Sequence, residues 1–421
     1  MRVIADLQIH SKYSRACSQD LTPGNIGLWA DKKGVQVIGT GDFTHPKWLL
    51  ELKESLEEVK PGLYKLRGGS AEAFFILTSE VSSIYKQGTK VRRVHNMIFA
   101  PSFEAVDRII AGLTSAGANL KADGRPIMGI HCDDLVKIVK EASPNAEVVP
   151  AHAWTPHFGV FGSLSGFNSI DEAFGDQSKY IRAIETGLSS DPKMNWQISA
   201  LDKYALTSNS DAHSLRKIGR EANVFEIDEA KLSYNEIISA LYSKDPSRFL
   251  YTIEFFPEEG KYHLDGHKDC KFSCLPEQTK KLNGICPVCG KKLLAGVLNR
   301  VDELADRNFG FIPERSVPFK SVIPLEEIIA ETFEVGTGSK KVQAMYEQMV
   351  GLNTEFKILL DLDENQIREI STPELAQAIM RVRQGNVHIE GGYDGVFGKI
   401  HIFDEKERSQ IFQKPKQKEL F

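Results

Sequence analysis

The chain has 421 residues, of which 41% are hydrophobic and 26% charged, with a formal net charge of −5. That length exceeds one comfortable core and predicts two or three domains of an ordinary soluble globular protein. The start, MRVIADLQIHS, is too short an apolar run for a signal peptide or a bilayer span, which predicts a cytoplasmic location. Net acidity gives no global case for nucleic-acid binding, but residues 261–300 hold eight Lys/Arg against three Asp/Glu, and 406–419 hold five against two. Local basic surfaces of this kind can meet a polyanion while acidic residues elsewhere ligate metals.

Over residues 1–255 short apolar strands alternate with helical stretches. Strands are predicted at Val3–Leu7, Val35–Thr40, Phe74–Thr78, Asn96–Ala100, Val148–Ala151, Ile181–Ile184 and Ala205–Thr207. Helices are predicted at Asn25–Lys33, Trp48–Val59, Phe103–Leu113, Asp133–Glu141 and Tyr234–Ser243. Such alternation argues for an α/β unit around a parallel sheet, open or closed. Residues 256–300, rich in Lys, Gly, Pro and Cys, predict a small metal-held module. A helical C-terminal domain follows over 301–405, with helices at Leu325–Thr332, Lys340–Val350 and Pro373–Gln384. There Thr372 is the expected N-cap, Pro373 the first helical residue and Gly385 the stop, while Val342, Met345, Tyr346 and Met349 form a core stripe. Residues 406–421 are expected to be a flexible basic tail.

Ionisable residues fall at the C-terminal ends of the predicted strands: Asp6 to His10, Asp42, Glu80, His152, Glu185, Asp211 and His213. Active sites of α/β folds are built on that edge. With His45 and His95 they make a mixed His/Asp/Glu set suited to zinc, manganese or iron. Phosphodiester hydrolysis needs a nucleophilic hydroxide and charge neutralisation, which clustered cations joined by a carboxylate provide. Each residue alone could be a cap or a core histidine; convergence of nine, these residues without Asp6, is the argument.

The ordered segments Asp6-Leu7-Gln8-Ile9-His10-Ser11, Gly41-Asp42-Phe43-Thr44-His45, Glu80, His95, Pro150-Ala151-His152 and Ser210-Asp211-Ala212-His213-Ser214 resemble the motifs of the PHP (polymerase and histidinol phosphatase) superfamily over about 250 residues. The resemblance implies a distorted (β/α)7 barrel with two or three divalent ions (Zn2+, Mn2+ or Mg2+). Gly39-Thr40-Gly41-Asp42, His45-Pro46-Lys47-Trp48, Ile184-Glu185-Thr186-Gly187-Leu188 and Gly391-Gly392-Tyr393-Asp394-Gly395 extend the likeness to the endonuclease Q family along nearly the whole chain. Members of that family incise DNA 5′ to uracil, hypoxanthine and related deaminated bases, and to abasic sites. By position, the resemblance puts His10, Glu80 and Asp211 on one ion, Glu80, His95 and His152 on a second, and His45 and His213 on a third. Asp211, Glu80 and His152 become the catalytic candidates. The first motif departs from the usual His-x-His: Gln8, a weaker neutral ligand, stands in the first place. Asp6 either contributes there or orients His10.

Cys270, Cys274, Cys286 and Cys289 have the two-pair spacing of a tetrahedral structural zinc site, with His267 an alternative to Cys270. Cys17 and Cys132 read as small buried apolar side chains. Lys268 and Lys271, with Lys280, Lys281, Lys291 and Lys292, make a phosphate-facing or merely solvated surface. The loop after His152 offers Trp154, His157, Phe158 and Phe161 as walls for an extruded base, or as ordinary loop packing. Arg92 and Arg93, in an excursion between Glu80 and His95, are candidate phosphate contacts. Gln417, Leu420 and Phe421 resemble the Gln-x-x-Leu-Phe peptide that docks on sliding clamps, or form an incidental tail. Three functions compete: a lesion-directed DNA endonuclease; a phosphatase for a small monoester; and a DNA-binding repair adaptor with a decayed site, for which Gln8 speaks. The endonuclease, a monomer in the cytoplasm, is the expected one.

Overall fold

The computed structural model describes residues 1–411, so the clamp-like peptide at Gln417, Leu420 and Phe421 lies outside the described residues. Twelve strands come from the first 254 residues. They are β1 (Arg2–Asp6), β2 (Val37–Gly39), β3 (Leu56–Lys60), β4 (Leu63–Leu66), β5 (Phe74–Gln87), β6 (Lys90–Ala100), β7 (Ile127–Met128), β8 (Glu147–Pro150), β9 (Ala183–Glu185), β10 (Ala205–Thr207), β11 (Ala222–Glu226) and β12 (Phe249–Glu254). Strands β1, β2 and β5 run parallel, β6 returns antiparallel to both β5 and β8, and β9 pairs with β10 in a separate parallel ladder. Single bonds link the two ladders: Ala153 N–H donates to Glu185 O at 2.9 Å, and His10 N–H to Ala212 O at 3.0 Å.

Period-two alternation divides the strands between two environments. Ile4, Ile38, Phe75, Ile98, Val148 and Ile184 pack outward among buried helix residues such as Ile26, Ile109, Leu135 and Val139. Val3, Ala5, Val37, Ile76, Met97, Phe99, Val149, Ala183 and Ala205 fill the opposite side as one apolar plug. Small residues there let the strands converge, and the chemistry-bearing residues stand one step further along the same alternation.

The predicted helices form with small shifts at their ends. Trp48–Val59 is the exception: the helix is Pro46–Ser55, and Leu56–Lys60 is strand β3, hairpinned to β4. The larger surprise is the length of β5 and β6. Their hairpin spans Leu77–Ala100, so Glu80 sits inside a strand rather than at its C-terminal end.

Beyond β12 come the hairpin β13 (Asp265–His267) and β14 (Phe272–Cys274), then β15 (Phe319–Ser321), and finally β16 (His388–Glu390) and β17 (Lys399–His401). Since β15 pairs parallel with β12, residues 319–321 extend the main sheet, and the helical unit begins with Leu325–Thr332 rather than at 301. The helical unit has its own core, including Ile328, Val342, Tyr346, Met349 and Ile379. Thr372 caps the helix Pro373–Arg383 by accepting from Leu375 N–H, and Gly385 follows with φ +67°. The expected tail from 406 is helical at first: Glu405–Ile411 packs back through an Arg408–Glu331 ion pair. No helix among the described residues is long and apolar enough to cross a membrane.

Glu254, ending β12, is fully buried; burial pushes its carboxyl up to about 8, helped by the charge of Asp191. Unfolded, the same carboxyl ionises near pH 4.3. The unfolded state therefore gains by releasing a proton between that pH and about 8, and the folded state loses stability across that window. Glu254→Gln, which cannot ionise, should raise the melting temperature more at pH 8 than at pH 5; an equal change at both would contradict this.

Candidate metal centre

Three turns carry the site, each with strained backbone. Asp42, His152 and Asp211 adopt φ of +49°, +29° and +47°, a region non-glycine side chains rarely occupy and one that recurs at functional sites. Just before Asp42, Gly41 has φ +62°, and a Cβ there would meet Ile9 O at 2.4 Å, so glycine is needed to bring β2's end against β1's. On the hairpin, Glu80 lies opposite Met97 and His95 opposite Ser82, so both acidic and imidazole groups point to the plugged side of the sheet.

Glu80 is the hinge of the arrangement. Its Oε1 lies 2.5 Å from His95 Nδ1 and 3.2 Å from His152 Nε2, and its Oε2 lies 3.0 Å from His10 Nε2. His10 Nε2 is also 3.0 Å from Asp211 Oδ1, and the His10 and His213 rings meet edge-on at 4.6 Å. Two donor groups result: His10, Asp211 and His213; and Glu80, His95 and His152, each with its ligand atoms within 4.8 Å of one another. His95 Nδ1 and His152 Nε2 face each other at 3.2 Å over the same carboxylate oxygen, a crowding of lone pairs that a divalent cation resolves. The donor set therefore fits divalent metals. Gln8 Nε2 donates to Glu80 Oε2 at 3.2 Å, and its buried Oε1 has no protein partner.

Burial would raise the Glu80 carboxyl, but the charges of His95 and Arg125 and the bonds from His10 and His152 hold it well below the usual carboxylate range. Burial likewise opposes charging of His10; the Asp42 charge and bonds to Asp211, Asp42 and Glu80 outweigh it and raise its pKa.

Several predicted ligands act behind this cluster. Asp42 takes His10 Nδ1 at 3.0 Å on Oδ1, while Oδ2 accepts from Ser11 N–H, Ser11 Oγ and Ser14 Oγ at 2.6, 2.7 and 2.8 Å. With both oxygens engaged, it aims the histidine rather than meeting an ion. Glu185 accepts from His152 N–H at 2.7 Å and from Asn209 Nδ2 at 2.9 Å, and burial lifts its carboxyl to about 8. Asp6 accepts from Ser210 N–H and Gly219 N–H at 3.0 and 2.8 Å, holding the turn that presents Asp211 instead of orienting His10. His45 stands outside both donor groups, stacked on Tyr13 at 4.5 Å, and His213 joins His10 and Asp211 rather than His45.

The substrate-side expectations need correction. Trp154 and Phe161 are fully buried and pack on each other, because the loop after His152 folds over its own aromatics. Phe158 stacks on His95 at 4.4 Å and stays partly exposed, as does His157 near Tyr262. Arg92 is buried, bonded to Gly166 O and Glu172 and lying 3.9 Å over Phe167; it locks that loop and cannot clasp phosphate. Arg93, Lys268 and Lys271 are exposed.

Two features escaped the sequence. Arg125, on the loop between the helix Phe103–Ser115 and β7, reaches within 3.5 Å of Glu80 Oε2. Burial works against its charge, but Glu80, Asp211 and Asp42 raise its pKa. No motif marks it; its neighbour Gly124 gives the only hint, because a Cβ there would meet Asp42 Oδ2 at 2.4 Å. The second is a cavity of about 530 Å³ beside the cluster, floored by His152, Asn209 and Asp211 and walled by Leu188, Phe255 and Tyr262.

The cysteine module forms with one exchange. His267, Cys270, Cys286 and Cys289 bring their ligand atoms within 4.8 Å of one another, with His267 Nδ1 3.5 Å from Cys289 Sγ. Cys274 is excluded: β14 carries it opposite Asp265, where its Sγ lies 3.2 Å from Thr279 Oγ1. Burial disfavours the Cys286 thiolate, yet backbone N–H groups of Val288 and Cys289 lower its pKa.

Comparison with known proteins bears on the whole chain. The structure matches PfuEndoQ, a lesion-specific endonuclease from Pyrococcus furiosus, with TM-score 0.85 and 30% identity, covering 100% of this chain and 98% of that one. It matches equally, at TM-score 0.85 and 30% identity, an endonuclease Q in complex with a 27-mer duplex bearing an abasic lesion at the active site, covering all of both chains. The uncharacterised protein YqxK of Bacillus subtilis is 28% identical over 412 residues, 95% of this chain and 99% of that one. Residues 324–386 match the family model of the MJ0043 C-terminal domain.

Asp42→Asn keeps a residue that tolerates positive φ but removes the charge behind His10. It should weaken Mn2+ or Zn2+ binding by roughly 10–100-fold in calorimetric titration, with unchanged circular dichroism. Unaltered affinity would remove Asp42 from any role in aiming the histidine.

Proposed function

Since the chain belongs to the endonuclease Q family, we propose that it is a metal-dependent DNA repair endonuclease, hydrolysing the phosphodiester 5′ to a deaminated base or abasic site. The observation that carries this reading is Glu80, which shares one donor set with His95 and His152 through Oε1 and reaches the other through Oε2, 3.0 Å from His10 Nε2. In this reading β1, β2, β5, β6, β8, β9 and β10 are the staves of a distorted seven-stranded barrel around the apolar plug. His10, Asp211 and His213 would hold one divalent ion, and Glu80, His95 and His152 another. Bound there, the ions would acidify the attacking water and offset charge on the phosphoryl oxygens.

The remaining work falls to the chain. Asp42 and Glu185 fix His10 and the His152 backbone, so the donors are held before substrate arrives. Arg125 supplies a permanent cation beside Glu80, placed to take a non-bridging phosphate oxygen. The cavity with Leu188, Phe255 and Tyr262 suits a nucleoside turned out of the duplex, with apolar walls and polar groups on its floor. A small monoester would need no such space, which disfavours the phosphatase. Gln8 does not by itself argue for a decayed site, because its amide still engages Glu80. The cysteine module is proposed to hold structural zinc through His267, Cys270, Cys286 and Cys289, leaving exposed lysines such as Lys268 and Lys271 for the DNA backbone.

The test is incision of labelled duplex containing a single uracil or hypoxanthine by the metal-loaded protein, beside undamaged DNA and a simple phosphatase substrate. Lesion-dependent nicking lost in Asp211→Asn is the expected result; phosphatase activity alone, or tight binding without nicking, would overturn the proposal. For the module, His267→Ala should lose the zinc that a mercurial reagent releases from thiolates, whereas Cys274→Ala should keep it. The reverse pattern would restore the four-cysteine site.

A further inference from the structure

The glycine-rich segment 391–398 between β16 and β17 is tied to residues 258–268 by a set of hydrogen bonds. Gly392 N–H donates to Glu258 O at 2.7 Å, Gly395 N–H to Lys261 O at 2.9 Å, Gly398 N–H to Glu259 O at 3.1 Å, and Leu264 N–H returns to Gly392 O at 2.9 Å. Asp394 accepts from Lys268 N–H at 2.7 Å, and Tyr393 lies flush on Gly266, where a Cβ would meet its ring at 2.4 Å. Gly398 has no room for a side chain either: a Cβ would stand 2.1 Å from Glu258 O.

This mount holds an apolar tip out in solvent. Val396 is 40% exposed and Phe397 64% exposed. Phe397 is also part of the rim of the cavity that His152 and Asp211 floor, with the Lys261 ammonium 4.4 Å from its ring centroid. A flat ring at the mouth of this cavity offers a face on which a base can stack. When a nucleotide leaves a duplex for a cavity, the base pair next to it loses its stacking neighbour, and proteins that unstack DNA insert apolar side chains at such steps. The adjacent lysine suits the phosphate of the same strand.

We infer that Phe397 is a wedge that enters the base stack where the damaged nucleotide is extruded, a role that rests on the endonuclease reading. The wedge acts on the duplex, not on the reacting phosphate. Its contribution should therefore vanish when extrusion costs nothing.

The experiment compares the metal-loaded full-length wild type, Phe397→Ala and Phe397→Trp on one uracil in three settings: a paired duplex, an unpaired bubble and a single strand. Expected for Phe397→Ala is a loss of more than about 10-fold on the paired duplex, shrinking to within about 2-fold in the bubble and single strand, because unpaired bases cost less to turn out. Phe397→Trp, still flat and apolar, should retain most duplex activity. Equal loss in all three settings would make Phe397 a wall of the cavity, and no loss would leave it without a role; either overturns the wedge. Wild type that nicks none of the three substrates would overturn the endonuclease reading itself.

Discussion

One buried carboxylate organises this protein. Glu80 is wholly excluded from solvent, yet its two oxygens serve histidines that come from β6, from the turn after β8 and from the turn after β1. An ionised group so placed is tolerable only where positive partners converge on it. The long β5–β6 hairpin follows from that requirement, since it carries Glu80 and His95 past the apolar plug to the same depth as the chain turns bearing His10, His152 and Asp211. Arg125 adds positive charge from a loop that Gly124 N–H anchors on Tyr13 O and Pro126 O anchors on Ser82 N–H.

Much of this could be read from residues. Apart from Leu56–Lys60, the predicted strands and helices appear where their periodicity puts them, and the Asp42, His152 and Asp211 turns follow strands as the α/β rule requires. What failed did so for physical reasons. β5 is buried on both faces over most of its length, so no polar alternation marks where it continues past Thr78. Cys274 and His267 are two positions apart across a hairpin, and sequence spacing cannot say which end of it meets Cys286 and Cys289. Trp154 and Phe161 next to a metal-ligand candidate suggested a pocket wall, yet a loop that closes on itself buries its largest rings first. In sequence Arg92 reads as a phosphate contact and Arg125 carries no signal, and only tertiary contacts separate the loop lock from the cation beside Glu80.

The helical unit and the cysteine module frame the same opening from two sides. Arg216 and Lys217, following His213, pair with Glu326 and Glu327 at the start of the helix Leu325–Thr332. On the other side Arg300 bonds Phe161 O and Phe167 O at 3.1 and 3.0 Å, tying the module's following helix to the loop beyond His152. Arg216 and Lys217 are sequence neighbours of the donor His213, so this contact ties the placement of the helical unit to the geometry of the site, alongside the Arg2–Asp361, Lys32–Glu347 and Lys33–Glu355 pairs further away.

The positive φ angles at Asp42, His152 and Asp211 set this protein against its own robustness. Each holds an L-residue in a conformation costing on the order of 1 kcal/mol, which glycine would relieve. Selection for thermal endurance alone would therefore favour glycine at His152 and Asp211, whereas at Asp42 the bonds with His10, Ser11 and Ser14 outweigh the strain. Heat-tolerant variants that have lost a donor side chain should gather at those two turns, marking how much stability is given up to keep the cluster assembled.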